Sequence, residues 1–314
     1  MGKVAFLFDG QGSQYPGMGK DLFESCSEVH DFYGVAEAIR PGTLSQMFDG
    51  SEEELKKTSN TQPCMFLADI AGAMALMENG IKPDAVAGFS LGETVAMAIS
   101  GALCKEEAFK LVCKRGELMQ KASEKSEGSM IAVLKMDREI LEDMCEDYGV
   151  YPVNYNCPGQ IVISGEKDKV EELKKALTDK KVRFIELSVG GPFHTPYMQE
   201  AAVGLAKEMK SKKLYNINKT YIPLYANKTA KPYADSRSAM VQTFSEQITS
   251  SVKWEDTLTN MAKDGVDTFI ECGPGKALSG FVKRTVPDAK IYNVSDRETL
   301  ERTIEALIEQ GNNP

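Results

Sequence analysis

The sequence predicts an α/β fold with a parallel central sheet and a smaller, ferredoxin-like unit inserted into it. Short apolar runs of strand length are followed by glycine-containing loops and then by helical segments, which is the rhythm of a parallel sheet covered by helices. Between residues 126 and 190 the order becomes β-α-β-β-α-β, that of the ferredoxin-like motif. We therefore expect a large unit of residues 1–125 and 191–314, and a small subdomain of residues 126–190.

The individual elements follow from apolar periodicity and from glycine and proline punctuation. In the large unit, strands are predicted at residues 3–8, 84–87, 222–226, 268–271 and 290–293. Its helices are predicted at 61–78, 93–98, 196–210, 236–248 and 298–310. Two further helices are predicted, one after Cys104 and one that begins at Ala277. The small unit has predicted strands at 129–134, 151–156, 160–164 and 182–187, and helices at 137–148 and 166–178.

Composition and charge exclude several classes of function. The chain has 37 basic and 46 acidic residues, and its net charge of −9 argues against nucleic acid as the main partner. Its seven cysteines are scattered, with no C-x-x-C pair, which fits neither a disulfide framework nor a zinc site. No apolar run is long enough for a signal peptide or a membrane span. We expect a cytoplasmic monomer with no metal and no permanently bound cofactor.

Two glycine-rich loops resemble nucleotide-binding motifs but lack their defining residues. The loop that begins at Gly10 has Tyr15 where a dinucleotide-binding loop requires its third glycine. The pair Gly275-Lys276 is followed by Ala277, where a P-loop requires serine or threonine. Neither loop therefore predicts a nucleotide site.

The pentapeptide Gly88-Phe89-Ser90-Leu91-Gly92 lies between a predicted strand and a predicted helix. This arrangement is typical of a nucleophile elbow, in which a strained turn projects the serine hydroxyl into a cleft. Glycine is needed at both ends because a Cβ there would collide with the neighbouring strand and helix. The pattern predicts Ser90 as a nucleophile.

A serine nucleophile needs a base, and the chain has two histidines, His30 and His194. His30 lies in a polar stretch that is typical of a solvated helix face. His194 lies in a loop rich in glycine and proline, between a predicted strand and a predicted helix, and such loops often carry catalytic residues. A lone loop histidine usually serves only to pack or cap, but beside an elbow serine we interpret His194 as the base.

Arg115 lies on the apolar stripe of the helix that follows Cys104, whereas Lys114 and Glu117 lie off its centre. A buried arginine is costly unless an anion satisfies it. An internal pair with an aspartate or glutamate is the commoner arrangement. The alternative is that Arg115 binds a carboxylate of the substrate, to which the planar guanidinium is well matched.

The chain resembles the malonyl-CoA:acyl-carrier-protein transacylases of fatty acid synthesis and the acyltransferase domains of polyketide synthases. The resemblance covers nearly the whole chain and implies an α/β-hydrolase-like core with a ferredoxin-like insertion. The matching segments, in the order of the family, are Asp9-Gly10-Gln11-Gly12-Ser13-Gln14, Gly88-Phe89-Ser90-Leu91-Gly92-Glu93, Arg115-Gly116, Asn154-Tyr155-Asn156-Cys157-Pro158-Gly159-Gln160, Gly191-Pro192-Phe193-His194, 247–254 and Glu271-Cys272-Gly273-Pro274-Gly275-Lys276.

The resemblance implies a role for each matching position. Ser90 would carry the acyl group, and His194 would act as general base and then as acid. The backbone N–H groups of Gln11 and Leu91 would form the oxyanion hole, and Arg115 would bind the malonyl carboxylate. Gln247 matches a family residue near the histidine, which works there without the acid of a full triad.

The implied substrate is malonyl-CoA, and the implied acceptor is the phosphopantetheine thiol of an acyl carrier protein. Phe193, beside the histidine, should crowd an α-substituent on the acyl group. An acidic carrier would need a basic patch, and the candidates are Lys174, Lys175, Lys180, Lys181, Arg183, Lys212, Lys213, Lys276, Lys283 and Arg284.

Two positions depart from the family pattern. Phe89 replaces a histidine and removes a polar neighbour of the serine, so acyl selectivity or turnover could differ from that of typical members. Asp9 replaces a proline. If its side chain faced inward it would add a negative charge near the oxyanion loop, but we expect it to point to solvent or to cap the turn.

Three classes of function stay open on the sequence alone. The first is a malonyltransferase, whose carrier serves either fatty acid synthesis or a polyketide synthase. A serine esterase or thioesterase is the second, although a hydrolase commonly adds a triad acid and has no use for a carboxylate-binding arginine. The third, an inactive scaffold subunit, is disfavoured because Ser90, His194, Arg115 and Gln247 are all present.

Overall fold

The computed structural model describes residues 2–188 and 191–311, with side chains up to residue 309. Its strands are β1 (Lys3–Phe8), β2 (Ala85–Gly88), β3 (Gly128–Leu134), β4 (Tyr151–Cys157), β5 (Gln160–Glu166), β6 (Arg183–Glu186), β7 (Leu224–Tyr225), β8 (Val266–Cys272) and β9 (Lys290–Val294). Its helices are α1 (Lys20–Ser25), α2 (Ser27–Ile39), α3 (Thr43–Asp49), α4 (Glu52–Lys56), α5 (Thr58–Glu78), α6 (Gly92–Ile99), α7 (Lys105–Ser123), α8 (Arg138–Tyr148), α9 (Lys167–Asp179), α10 (Gln199–Met209), α11 (Arg237–Gln247), α12 (Trp254–Lys263), α13 (Ala277–Thr285) and α14 (Arg297–Gly311).

The large unit is built on a parallel sheet with the strand order β7-β2-β1-β8-β9. β1 lies at its centre, and its side chains alternate between the two faces, as the pleat of a strand requires. Phe6 and Phe8 contact the core formed with α5, α6 and α7, whereas Ala5 and Leu7 contact the core formed with α12 and α13. The sheet is therefore covered by helices on both faces.

The small unit is an antiparallel sheet with the strand order β4-β5-β3-β6, the order expected for a ferredoxin-like motif. One face packs against α8 and α9 through residues such as Ile131 and Ile163. The opposite face contributes Met130 and Val162 to the core of the large unit. Alternate residues of β3 and β5 thus join the small unit to the large one.

The predicted fold class is confirmed, and most predicted elements lie within about two residues of those observed. The segment predicted as strand 222–226 forms only the two-residue strand β7, and the helix predicted from residue 196 begins with a 3₁₀ turn, Pro196–Met198. Helices α1, α3, α4 and α12 were not predicted, and α2 was indicated only by the helix face around His30. The proposed boundary at residue 190 adjoins residues 189 and 190, which lie outside the described residues. No helix in the described ranges is long and apolar enough to cross a membrane.

Candidate active site

Ser90 lies on the turn between β2 and α6 with φ of 53°, in the left-handed region that side chains other than glycine rarely adopt. A Cβ at Gly88 would lie 1.9 Å from the carbonyl carbon of Gly92, and a Cβ at Gly92 would lie 2.4 Å from the carbonyl oxygen of Phe8. Both glycines are therefore required by close backbone approach, as the motif predicts. The turn has the geometry of a nucleophile elbow.

The elbow is held by a side chain from a distant part of the chain. Asn227, which follows β7, accepts a hydrogen bond from the Ser90 backbone N–H at 2.7 Å and donates one to the Gly88 carbonyl at 2.6 Å. Asn227 is completely buried. These two bonds fix the strained backbone on both sides of Phe89.

The Ser90 hydroxyl lies 2.8 Å from Nε2 of His194, although the two residues are 104 positions apart in the chain. Nδ1 of His194 faces two backbone carbonyls, those of Gln247 at 3.0 Å and Ser250 at 3.2 Å. Because carbonyls only accept hydrogen bonds, the ring proton resides on Nδ1 and the lone pair of Nε2 faces Ser90. His194 can therefore accept the serine proton, and His30 is exposed elsewhere on the surface.

The environment of His194 keeps the ring neutral. Burial, with a smaller contribution from the charge of Arg115, lowers its pKa from 6.5 to about 4. The two carbonyls oppose this shift but do not supply the full charge of a carboxylate. A base of this kind stays unprotonated through the whole neutral range.

Arg115 is completely buried, on the face of α7 that also buries Ala108, Leu111 and Met119. Its guanidinium donates to Oε1 of Gln62 at 2.9 Å, to Oε1 of Gln247 at 2.8 Å and to the Ser90 hydroxyl at 3.1 Å. It forms no ion pair with any carboxylate of the described residues. Within the described residues, Arg115 therefore lacks the directly bonded carboxylate that is usual for a buried arginine. The groups that accept its hydrogen bonds are neutral.

Gln247 contacts the histidine only through its backbone carbonyl. Its side-chain amide donates to the Ser90 carbonyl at 2.8 Å and to a carboxylate oxygen of Glu93 at 3.1 Å, while its oxygen accepts from Arg115. Burial raises the pKa of Glu93 to about 7, an effect that hydrogen bonds from Tyr233 and others partly oppose. One amide thus connects the elbow, the arginine and a buried carboxylate.

These groups border a small cavity of about 70 Å³ between the two units. Met130, Asn154 and Leu187 of the small unit form one wall, and residues of the large unit form the rest, including Gln11, Leu91, Phe89 and Phe193. A groove of about 740 Å³ lies elsewhere, between α10 and α11, and contains none of the predicted site residues.

The backbone N–H groups of Gln11 and Leu91 donate to no other group within residues 2–188 and 191–311. Both residues border the cavity beside Ser90. Two unpaired backbone donors next to a nucleophile are suited to stabilise an oxyanion.

Two aromatic side chains, Phe193 and Phe89, contribute to the apolar part of the cavity wall. Phe193 is buried next to His194. Phe89 packs edge-on against Trp254, with ring centroids 5.3 Å apart, and against Phe281 at 6.4 Å. The departure at position 89 therefore places a fixed apolar ring beside the serine.

The expectation that Asp9 points to solvent or caps its own turn is wrong. Its side chain is buried and accepts a hydrogen bond from the Gly275 N–H at 2.6 Å, next to the buried carboxyl groups of Asp69 and Glu271. β1 and β8 are neighbours in the sheet, so the loops that follow them meet at one edge and enclose Asp9. Burial and the neighbouring Glu271 raise the pKa of Asp9 well above its ordinary value.

Four polar residues of the site had no predicted role: Gln62, Glu93, Asn227 and Tyr233. Gln62 and Glu93 carried a local signal, since each is a polar residue in an otherwise apolar stretch of a buried helix. Asn227 and Tyr233 lie in irregular segments, and only the folded chain brings them to the elbow.

A serine on a strained elbow, paired with a neutral histidine and two free backbone donors, defines the class of enzymes that form an acyl-serine intermediate. Comparison with known proteins narrows this class. Residues 5–304 match the model of the acyl transferase domain family, and the chain belongs to that family.

Individual relatives match over their full length. The chain is 40% identical to the malonyl CoA-acyl carrier protein transacylase of Bacillus subtilis (strain 168), covering 100% of both chains. The crystal structure of the malonyl CoA-acyl carrier protein transacylase from Clostridium perfringens superposes with a TM-score of 0.92 at 37% identity, over 98% of each chain. A malonyl-transacylase solved in complex with a type II polyketide synthase acyl carrier protein has a TM-score of 0.91 at 32% identity, over 97% of this chain and 99% of that one.

Proposed function

We propose that this protein transfers a malonyl group from malonyl-CoA, through an ester on Ser90, to the phosphopantetheine thiol of an acyl carrier protein. The observation that carries the proposal is Arg115, a buried cation 3.1 Å from the nucleophilic oxygen with only neutral hydrogen-bond partners. A buried cation with no carboxylate bonded to it directly, beside a nucleophile, favours an acyl group that brings its own carboxylate. The names of the relatives above support the same substrate.

The first half-reaction transfers the malonyl group to the enzyme. The Ser90 oxygen attacks the thioester carbonyl while its proton passes to Nε2 of His194, which lies 2.8 Å away. The negative charge on the carbonyl oxygen is stabilised by the N–H groups of Gln11 and Leu91. The C–S bond then breaks, and the departing thiolate takes the proton from His194.

The second half-reaction reverses these steps with a different thiol. The thiol of the carrier gives its proton to His194 and attacks the Ser90 ester, and the serine oxygen leaves with the same proton. No triad carboxylate is needed, because the carbonyls of Gln247 and Ser250 hold the imidazole in the required tautomer. Because the histidine is not paired with a carboxylate, it stays a weak base that favours attack by a thiol, which is more acidic than water.

Arg115 and Phe193 determine acyl selectivity in this proposal. The malonyl carboxylate replaces the neutral acceptors of the guanidinium by a charge-assisted, bidentate contact. Phe193 faces the cavity beside the base, so a methyl on the α-carbon would crowd its ring. Malonyl should be preferred strongly over acetyl, and over methylmalonyl by the about 1–3 kcal/mol that a methyl group is worth.

In this proposal the carrier docks beside α13. Lys276, Lys283 and Arg284 are exposed on this helix or at its start, and Phe281 of the same helix packs on Phe89 in the cavity wall. Lys174 of the small unit is a weaker candidate, because it already pairs with Glu171 at 2.7 Å and Glu186 at 2.5 Å. The chemistry is the same whether the carrier serves fatty acid or polyketide synthesis.

Initial rates with malonyl-CoA and holo acyl carrier protein test this function. Parallel double-reciprocal plots and release of free CoA without free malonate are expected for a transferase with a covalent intermediate. Release of malonate in place of malonyl-carrier would identify a thioesterase and refute the proposal. If α13 is the docking surface, the double variant Lys283→Glu/Arg284→Glu should raise KM for the carrier and leave transfer to free pantetheine unchanged.

A further inference from the structure

Glu93 is a buried carboxylate that takes no part in the reaction steps above, yet it is at the centre of the polar network. One of its oxygens accepts from the Asn227 backbone N–H at 2.8 Å and from the Gln247 amide at 3.1 Å. The other accepts from the Tyr233 hydroxyl. All four residues are buried.

These bonds determine how two side-chain amides are oriented. A carboxylate accepts hydrogen bonds and a guanidinium only donates them, so Gln247, which lies between Glu93 and Arg115, must direct its NH₂ to the former and its oxygen to the latter. Asn227 is placed by its own N–H bond to Glu93, and its amide then pairs with the backbone on both sides of Phe89. If the oxygen and the NH₂ of either amide exchanged places, the hydrogen bonds of both groups would be lost.

The charge of Glu93 also acts on the proposed carboxylate receptor. It is separated from the Arg115 guanidinium by the single amide of Gln247, and each charge favours the ionised form of the other. The other titratable groups that contact Glu93 or its immediate partners are Tyr233 and His194, and the Lys228–Glu246 ion pair lies at the positions next to Asn227 and Gln247 in the chain. Within the described residues, Glu93 is thus the carboxylate that partly neutralises Arg115.

We propose that Glu93 is a positioning residue that sets acyl selectivity, because it orients Gln247 and Asn227 and partly neutralises the Arg115 cation. The inference rests on the proposed function, since it concerns recognition of a malonyl carboxylate by Arg115. Through its hydrogen bonds to Gln247 and Asn227, Glu93 fixes the position of Ser90 relative to the Arg115 guanidinium. Its negative charge limits how tightly the arginine retains a second carboxylate, so that the malonyl group can be passed on to the acceptor.

Two substitutions separate hydrogen bonding from charge. In Glu93→Gln, an amide oxygen can still accept from Asn227 and Gln247, and the NH₂ can donate to the Tyr233 hydroxyl oxygen. The charge is lost, so at a pH well above 7 the ratio of kcat/KM for malonyl-CoA over acetyl-CoA should rise by on the order of tenfold, mainly through KM for malonyl-CoA. In Glu93→Ala the acceptors are lost as well, and acylation of Ser90 by both substrates should fall roughly 10- to 100-fold.

The pH profile gives a readout that a merely structural residue would not change. The malonyl-over-acetyl ratio of the unaltered protein should increase as the pH falls through about 7, where Glu93 takes up a proton. In Glu93→Gln the ratio should be high and independent of pH over the same range. Thr94→Val is the matched control, because it removes from the neighbouring position of α6 a buried hydroxyl that has no hydrogen-bond partner among the described residues.

These experiments distinguish failure of the role proposed for Glu93 from failure of the proposed function. If the unaltered protein forms no malonyl-enzyme, the proposed function fails. If it does, but Glu93→Gln has the same selectivity ratio and the same pH profile, the role of Glu93 is refuted. Should Glu93→Ala not fold, Tyr233→Phe replaces it: this variant keeps the carboxyl group but loses a hydrogen bond that lowers the pKa of Glu93, so the rise of the ratio should move to higher pH, and a pH profile identical to that of the unaltered protein would contradict the proposal.

Discussion

Replacement of Arg115 should remove the preference for malonyl-CoA over acetyl-CoA. The guanidinium is buried and its Nε has no partner within the described residues, so a malonyl carboxylate would gain charge-assisted bonds that acetyl cannot form. Two such bonds, less the neutral ones they replace, contribute about 3–4 kcal/mol, or roughly 10²–10³-fold in kcat/KM. Arg115→Ala should lose this factor. Arg115→Lys should keep part of it, since lysine retains the charge but not the planar fork.

The assay compares transfer from malonyl-CoA and acetyl-CoA to a small thiol, so that carrier docking does not contribute. Lys114→Ala is the matched control, because Lys114 is the preceding residue of α7 and lies at the surface beside Glu117. Its selectivity should equal that of the unaltered protein. An unchanged ratio in Arg115→Ala, with Ser90 still acylated, would show that Arg115 is only structural and that Phe89 should be tested next.

Further predictions concern the base and the buried carboxyl groups. His194→Ala should reduce acylation of Ser90 by several orders of magnitude. In the Glu93→Gln variant, where Glu93 no longer titrates, the rate of acylation should fall at acid pH with an apparent pKa near 4. An apparent pKa of 6.5 would contradict the buried, neutral histidine. Asp69 is completely buried, and burial together with the neighbouring Asp9 and Glu271 raises its pKa well above 3.8, so the folded state resists its ionisation. Asp69→Asn should therefore raise the melting temperature by an amount that grows as the pH rises above about 4. A lower melting temperature at neutral pH would refute this reasoning.

Local signals in the sequence were sufficient to predict most helices and strands, and to predict Ser90 and His194 as nucleophile and base. The apolar run of β1 and the glycines around Ser90 reflect constraints that act within a few residues, namely burial on both faces of a sheet and close backbone approach. His194 could be assigned because only two histidines were available. Arg115 could be placed by helical periodicity, which predicts burial but not the identity of the partner.

Contacts between distant segments could not be predicted in this way. Asp9 is buried because the loops after β1 and β8 meet, and these loops are 266 residues apart at the Asp9–Gly275 hydrogen bond. Asn227 and Glu93 are joined across 134 residues, and neither segment contains a motif for this contact. A polar residue in an apolar stretch, as at Gln62 and Glu93, indicates a buried network but not its connections.

The central claim is that Ser90 carries the malonyl group during transfer. Incubation with malonyl-CoA, followed by intact-mass analysis and peptide mapping, should detect one malonyl group on Ser90, which added holo acyl carrier protein then removes. Ser90→Ala should show no adduct, because Ser90 is the residue that the elbow presents to His194. A stable malonyl adduct on Ser90→Ala, or transfer at the normal rate by that variant, would contradict the account.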